Sequence, residues 1–328
     1  MAPKILVISK NQSVRYVSLD LEPKEVFVGF YTIENTTGNH LTKVVYEILL
    51  RLNIDVRNLR GQTYDGAANM AGAYNGCQAI ISNEHPLALF LHCGAHCSNL
   101  IAQSCCEASN YTRDAMHILN ELGSLYSRSV KFSTIFKNNL QRSGQNQKLL
   151  KPICPTRWLV KVPAVQSTLS EFSEIVESLK EMSFENGDSA AKASGICEKL
   201  VNGNTILSMK LLLTVLEPLQ QLNKCTQSSS MSISDLKSSA ESTAQYIQTL
   251  RNENNYEKLY KETEQFIESN DAMPIYLPRI RNIPKRFENG HAGYKFDSAK
   301  SFFRSEYFKV DFLFLLKNYK RISLFHLG

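Results

Sequence analysis

Apolar residues along the chain follow two spacings, and the change from one to the other divides it into an early mixed region and a later helical one. Val14 to Leu21 and Glu25 to Ile33 are rich in Val, Phe and Tyr, with Glu22-Pro23-Lys24 between them, which predicts a β-hairpin. Asn35-Thr36-Thr37-Gly38 reads as a loop that also supplies helix-capping side chains. Leu41, Val44, Val45, Ile48 and Leu49 then recur at helical intervals, predicting an amphipathic helix to about Asn53. Asp55 to Tyr64 predicts a return to the sheet with Asp65 at its end or just after it, and Gly66-Ala67-Ala68-Asn69 lets the chain turn into a following helix. Leu87 to Cys93, after Pro86, reads as another short strand.

From His96 the pattern is helical through Leu140, and Lys148 to Trp158 is a proline-broken connection. Phe172 to Met182, Leu207 to Leu222 and Ala240 to Glu268 predict further helices, with Ser228 to Ser234 as a polar link. Met273 to Phe287 reads as extended or irregular, and no tandem repeat is present. The predicted fold class is α/β: a mixed sheet over residues 1–140, followed by a largely α-helical domain over 141–328.

Composition narrows this picture little. With 37 Lys+Arg against 31 Asp+Glu the net charge is +6, compatible with a polyanion partner without demanding one. The run Ile5-Leu6-Val7-Ile8 is too short for a secretory signal, and Val310 to Leu316 is too short to span a bilayer. No membrane partner is expected. Eight cysteines without a secretory context argue for reduced thiols, hence an intracellular protein.

Candidate chemistry centres on Asn58 to Ala108. Asp65 is followed by small residues, which suits a carboxylate fixed at a strand end with room for substrate or metal, although most Asp-Gly pairs are turns. His92, Cys93, His96 and Cys97 invite a zinc reading, but no second ligand pair follows at a matching spacing. Packed residues at a strand-to-helix junction are the favoured reading, and Cys105-Cys106 are expected on a helix among buried neighbours. Nothing near Cys154, Cys197 or Cys225 suggests an activating base, and no phosphate-cradling glycine loop is present. Trp158, the only Trp, follows Arg157; such a Trp is more often a core anchor than a nucleic-acid platform. Lys131, Lys137, Arg142, Lys148 and Lys151 cluster loosely before it. They read as a solvated helix face or as one side of a salt-sensitive DNA groove.

Specific motifs add a resemblance. Gly29-Phe30-Tyr31 and Asn35-Thr36-Thr37-Gly38, then Arg60 through Met70, Tyr74-Asn75-Gly76, Leu91-His92-Cys93 with His96 and Asn99-Leu100, and Thr156-Arg157-Trp158 resemble the hAT-superfamily transposases. The likeness is greatest to the transposase-derived group of zinc finger MYM-type protein 1-like proteins and the repressor of the inhibitor of the protein kinase. It covers about Val14 to Phe308. The resemblance implies an RNase H-like fold interrupted by a helical insertion, in which three acids hold Mg or Mn for DNA strand transfer. Asp65 matches the second acid; the first, on an opening strand expected before Val14, and the third, a Glu after the insertion, have no match. The sheet is therefore expected to be incomplete, the chain truncated at both ends and catalytically inactive, with no cofactor of its own. Lys4 to Ser9 is expected either to replace the opening strand or to lie loose, and Asp20, Glu34 and Glu107 are the acids that could replace a missing one. By the same resemblance Asn69, Cys93 and His96 lie in the active-site neighbourhood, Trp158 stacks on a base and Arg157 contacts phosphate. Expected partners are DNA without sequence preference and a second copy or a related transposase-like protein. A nuclear location is favoured; a protein-interaction scaffold without DNA is the alternative, and an active metal-dependent DNA transposase or nuclease the third reading.

Overall fold

In the computed structural model, residues 6–8, 13–144, 161–228, 233–279 and 296–307 are described, the first three by their backbone. They fall into two compact units. One contains the residues up to Ser98 with Asn223–Ala240; the other contains Asn99–Leu222 with the residues described from Glu241 on.

The first unit is built on a five-stranded mixed sheet in the order β3-β2-β1-β4-β5. Its strands are β1 (Leu6–Ile8), β2 (Ser13–Val17), β3 (Pro23–Phe27), β4 (Leu59–Tyr64) and β5 (Leu89–His92). The predicted hairpin forms as β2 and β3, with shorter strands than the sequence suggested and a turn closed by Leu21 N–H to the Ser18 carbonyl, 3.0 Å. Leu21 sits at φ +64°, a conformation unusual for a bulky residue, and there the extended pattern ends.

β1 corrects the expectation of an incomplete sheet. It runs antiparallel to β2 and parallel to β4, so Leu6–Ile8 fills the centre, the first of the two outcomes expected for Lys4 to Ser9. Three residues carry no periodicity of their own; pairing on both sides makes them a strand.

Two helical crossovers complete the unit. α1 (Gly38–Arg51) links β3 to β4, and α2 (Ala68–Ala71) with α3 (Cys77–Glu84) links β4 to the parallel β5. Leu41, Val45, Ile48 and Leu49 lie on one face of α1 and are buried. With Val14, Leu59, Tyr64, Cys77, Ile81 and Ala88, three of them (Leu41, Val45 and Leu49) form one core on the sheet. The expected side-chain cap is not made: Thr37 is the N-cap, but only its carbonyl accepts, from the Leu41 N–H at 3.0 Å, and Asn35 Oδ1 accepts the Thr37 N–H at 2.9 Å. Before β4, Asp55 caps a 3₁₀ turn and pairs with Arg57, whose guanidinium holds that carboxyl down to about 2.

The second unit is helical. It draws on α4 (Gly94–Glu107), α5 (Asn110–Arg128), α6 (Val130–Arg142), α7 (Val162–Ser170), α8 (Phe172–Ser183), α9 (Asp188–Leu200) and α10 (Gly203–Thr226). α11 (Ile233–Leu250), α12 (Glu253–Ser269) and a helical turn over 299–307 follow. α10 is apolar nearly all round, and Ile206, Leu207, Leu211, Leu212, Val215, Leu216 and Leu219 are buried along it, as expected of a central helix.

The single helix predicted over Ala240 to Glu268 is two. Asn252 caps α12 by accepting the Asn255 N–H at 2.9 Å, and that local bond breaks the run. The residue-140 boundary of the sequence reading falls inside α6. Lys148 to Trp158, most of Ser228 to Ser234 and Met273 to Phe287 beyond residue 279 lie outside the described residues. Among those described, no helix is long and apolar enough to cross a membrane.

Candidate functional site

Strands β1, β4 and β5 run parallel and end on one edge of the sheet, the edge where open α/β sheets place their ligands. Asp65 is the first residue past β4. Its Oδ1 accepts the Ala67 N–H at 3.3 Å, so the carboxylate folds back over its own turn. Tyr64 lies opposite His92, and the Cys93 N–H donates to the Tyr64 carbonyl at 2.9 Å, carrying the β4–β5 pairing one residue further. His96 enters from the first turn of α4: a Cβ at Gly66 would lie 3.3 Å from its Nε2.

Asp65, His92 and His96 therefore make one cluster, and their charges act on one another. Partial burial pulls the His92 imidazole below its ordinary 6.5, the His96 charge pulls it further, and Asp65 opposes both. Neutral His92 contributes stability that is present above about pH 6.5 and lost as pH falls below it, because the unfolded chain then binds the extra proton. By histidine NMR, the His92 midpoint is expected to fall further in Asp65→Asn and to rise in His96→Gln. A midpoint unmoved by both would separate these groups.

Asn69 is a clamp at this edge. Its Nδ2 donates to the Thr36 carbonyl at 2.9 Å, tying the turn after β4 to the loop before α1. Beside it Gly38 packs on the Asn75–Cys77 backbone so closely that a Cβ would lie 2.0 Å from the Asn75 carbonyl oxygen. The Asn-Thr-Thr-Gly and Tyr-Asn-Gly motifs are the two sides of this contact.

The replacement acids are placed unequally. Glu34 belongs to the exposed loop at the Asp65 edge. Asp20 sits in the β2–β3 turn at the opposite edge: Leu6 pairs with Tyr16 and with Leu59, so six residues of strand, about 20 Å, separate that end from Asp65. Glu107 ends α4, about 16 Å along the helix from His96. Among the described residues, no three His, Cys, Asp or Glu side chains converge as a metal ion requires.

Cys93 and Cys97 are half-buried and joined by the helical Cys97 N–H to Cys93 carbonyl bond. Cys105 and Cys106 are buried on α4 as expected, and burial pushes the Cys106 thiol up to about 12, which makes it inert. Of the basic residues, Lys131 pairs with Glu185 at 2.7 Å, Lys137 and Arg142 sit on α6, and Lys148, Lys151, Arg157 and Trp158 lie outside the described residues.

Sequence reasoning missed Gln62. It is fully buried on β4, and its Nε2 reaches the carbonyls of Gln78 and Ala88 and Ser82 Oγ at 2.9–3.1 Å, bracing α3 and the approach to β5. Its signal was available: a polar residue two before inward-facing Tyr64 shares that residue's face.

Residues 9–76, which hold β2, β3, α1, β4 and the Asp65 turn with both sides of the glycine contact, match the family model described as the ZMYM1/FAM200, RNase-like domain, and this part of the first unit is similar to that family.

Proposed function

We propose that the chain is a transposase-derived protein of the hAT type that binds DNA, weakly and without sequence preference, and does not cut it. The observation that carries the reading is the company Asp65 keeps. The residue that matches a catalytic acid stands at the carboxyl edge of the sheet, inside the matched segment, beside two imidazoles and a backbone N–H, and among the described residues no three His, Cys, Asp or Glu side chains converge as a metal ion requires. Mg and Mn at a strand-transfer centre want several oxygen ligands, normally from two or three acids clustered about paired ions. One carboxylate turned onto Ala67, with nitrogen donors beside it, does not fit that centre, and no chemical step runs through a metal here. The central strand is Leu-Val-Ile, which supplies no acid either.

DNA contact in this reading falls to Arg157 and Trp158, through phosphate pairing and base stacking, with Lys137 and Arg142 adding charge. A nuclear location goes with it. Calorimetric titration of Mg or Mn is expected to give the same isotherm for the parent chain and Asp65→Ala. Anisotropy with a single-stranded oligonucleotide is expected to show binding that weakens steeply with salt and drops several-fold in Trp158→Ala. Metal binding lost in Asp65→Ala, together with nicking of the oligonucleotide, would overturn the non-cutting half of the proposal. Salt-independent retention, or none, would leave the scaffold role, a reading that the exposed sheet edge at β3 favours.

A further inference from the structure

The outer edge of the sheet, at β3, is exposed along every residue, and among the described residues no strand pairs with its outward backbone groups. Leu19, Leu21, Val26, Phe27, Phe30 and Ile33 are exposed on or beside it, with Phe27 and Phe30 in edge-to-face contact at 5.0 Å. At about 200 Å² per phenylalanine, Phe27 at 52% and Phe30 at 95% expose roughly 300 Å². The four aliphatic residues bring the patch toward the area of about 800 Å² per partner that a stable pair buries. An exposed edge strand is a template for another strand, and Pro23, Lys24 and Glu25 on β3 restrict the registers it can accept.

We propose that β3 pairs antiparallel with β3 of a second copy of this chain, about a two-fold axis through Val26, to make one continuous ten-stranded sheet. This holds whether or not the protein binds DNA. A two-fold axis perpendicular to a sheet brings residues of one face together, so the pairing must centre on a residue, and charge and backbone select which. Centring on Lys24 or Glu25 sets like charges against each other, and both also place Pro23, which has no N–H, inside the ladder. Centring on Phe27 runs the ladder into Gly29, where φ is +124° and the extended backbone stops.

Centring on Val26 avoids all three faults. Lys24 then faces Val28 of the second copy and Glu25 faces its Phe27, while Pro23 falls past the last pair. Glu25 keeps Arg15 opposite it on its own side. Val26 lies opposite buried Val14, so the join would continue the core row as Val14, Val26, Val26 and Val14 across both sheets.

The test is light scattering and disulfide trapping on the full chain carrying Cys225→Ser, which removes an exposed native thiol. The expected mass is twice 37.1 kDa, returning to the single value in Val26→Lys and in Phe30→Asp. Phe30, at 95% exposure, can accept the charge without loss of fold. Directly opposed residues of an antiparallel pair have Cα atoms about 4.5–5.5 Å apart, within disulfide reach. Val26→Cys should therefore oxidise to a dimer whose bridge maps to position 26 by peptide mass, and Glu25→Cys should not. A single-chain mass up to the highest soluble concentration overturns the proposal. So does a dimer indifferent to both substitutions, or a bridge at position 25 in place of 26.

Discussion

Replacing Gly38 with alanine is expected to lower the stability of the first unit by about 3 kcal/mol, the upper range for forcing atoms into a packed site. The added Cβ would stand 2.0 Å from the Asn75 carbonyl oxygen and 3.0 Å from the Cys77 amide nitrogen. Both are backbone atoms at the start of α3 and cannot rotate away as a side-chain tip would. Relief requires α1 to part from the 75–77 turn, and the Asn69–Thr36 bond spans that same junction. Gly195→Ala is the opposing control. It lies within α9 with nothing within 4 Å of an added Cβ, so alanine there should stabilise its helix by about 0.5–1 kcal/mol. Because the chain has two compact units, the readout should be hydrogen exchange by segment rather than one melting temperature. Protection over α1 and α3 is expected to fall in Gly38→Ala; protection equal to the parent's would refute the close-contact argument.

Tyr64→Ala is expected to cost about 3–5 kcal/mol, the range for emptying a large aromatic site in a core. Tyr64 is 1% exposed, stacks against Phe90 at 6.1 Å and sits in the core shared by α1, α3 and the sheet. Tyr64→Phe should cost less than about 1 kcal/mol, because the hydroxyl's contact with Cys77 Sγ is only a weak one at 4.0 Å. A large loss in both variants would mean that the hydroxyl, not the ring volume, anchors the site. The Tyr64 ring holds the end of β4, so in Tyr64→Ala the His92 titration should also move back toward its ordinary value as the strand end loosens. That change separates support of the Asp65 edge from stability alone.

The elements with a strong local pattern were legible in the sequence. The hairpin, α1, β4 ending just before Asp65, β5 and the helical stretch that becomes α4 through α6 announce themselves by alternation, by helical spacing or by a turn residue, although the breaks between those three helices do not. The break at Asn252 was also local: an asparagine that accepts an amide three residues on is an ordinary helix start, passed over within a long apolar rhythm. Tertiary structure alone decided the rest. β1 is a strand because β2 and β4 flank it, and three apolar residues cannot show that by themselves. The gathering of Asp65, His92 and His96, and the banishment of Asp20 to the far edge, follow from strand direction and register, which are relations between segments far apart in the chain. The glycine motifs could be read as spelling; only the fold shows that Gly38 is small because the Asn75 carbonyl occupies the space a side chain would need. Periodicity reports which face of a segment is buried, whereas pairing and close approach depend on what that face meets.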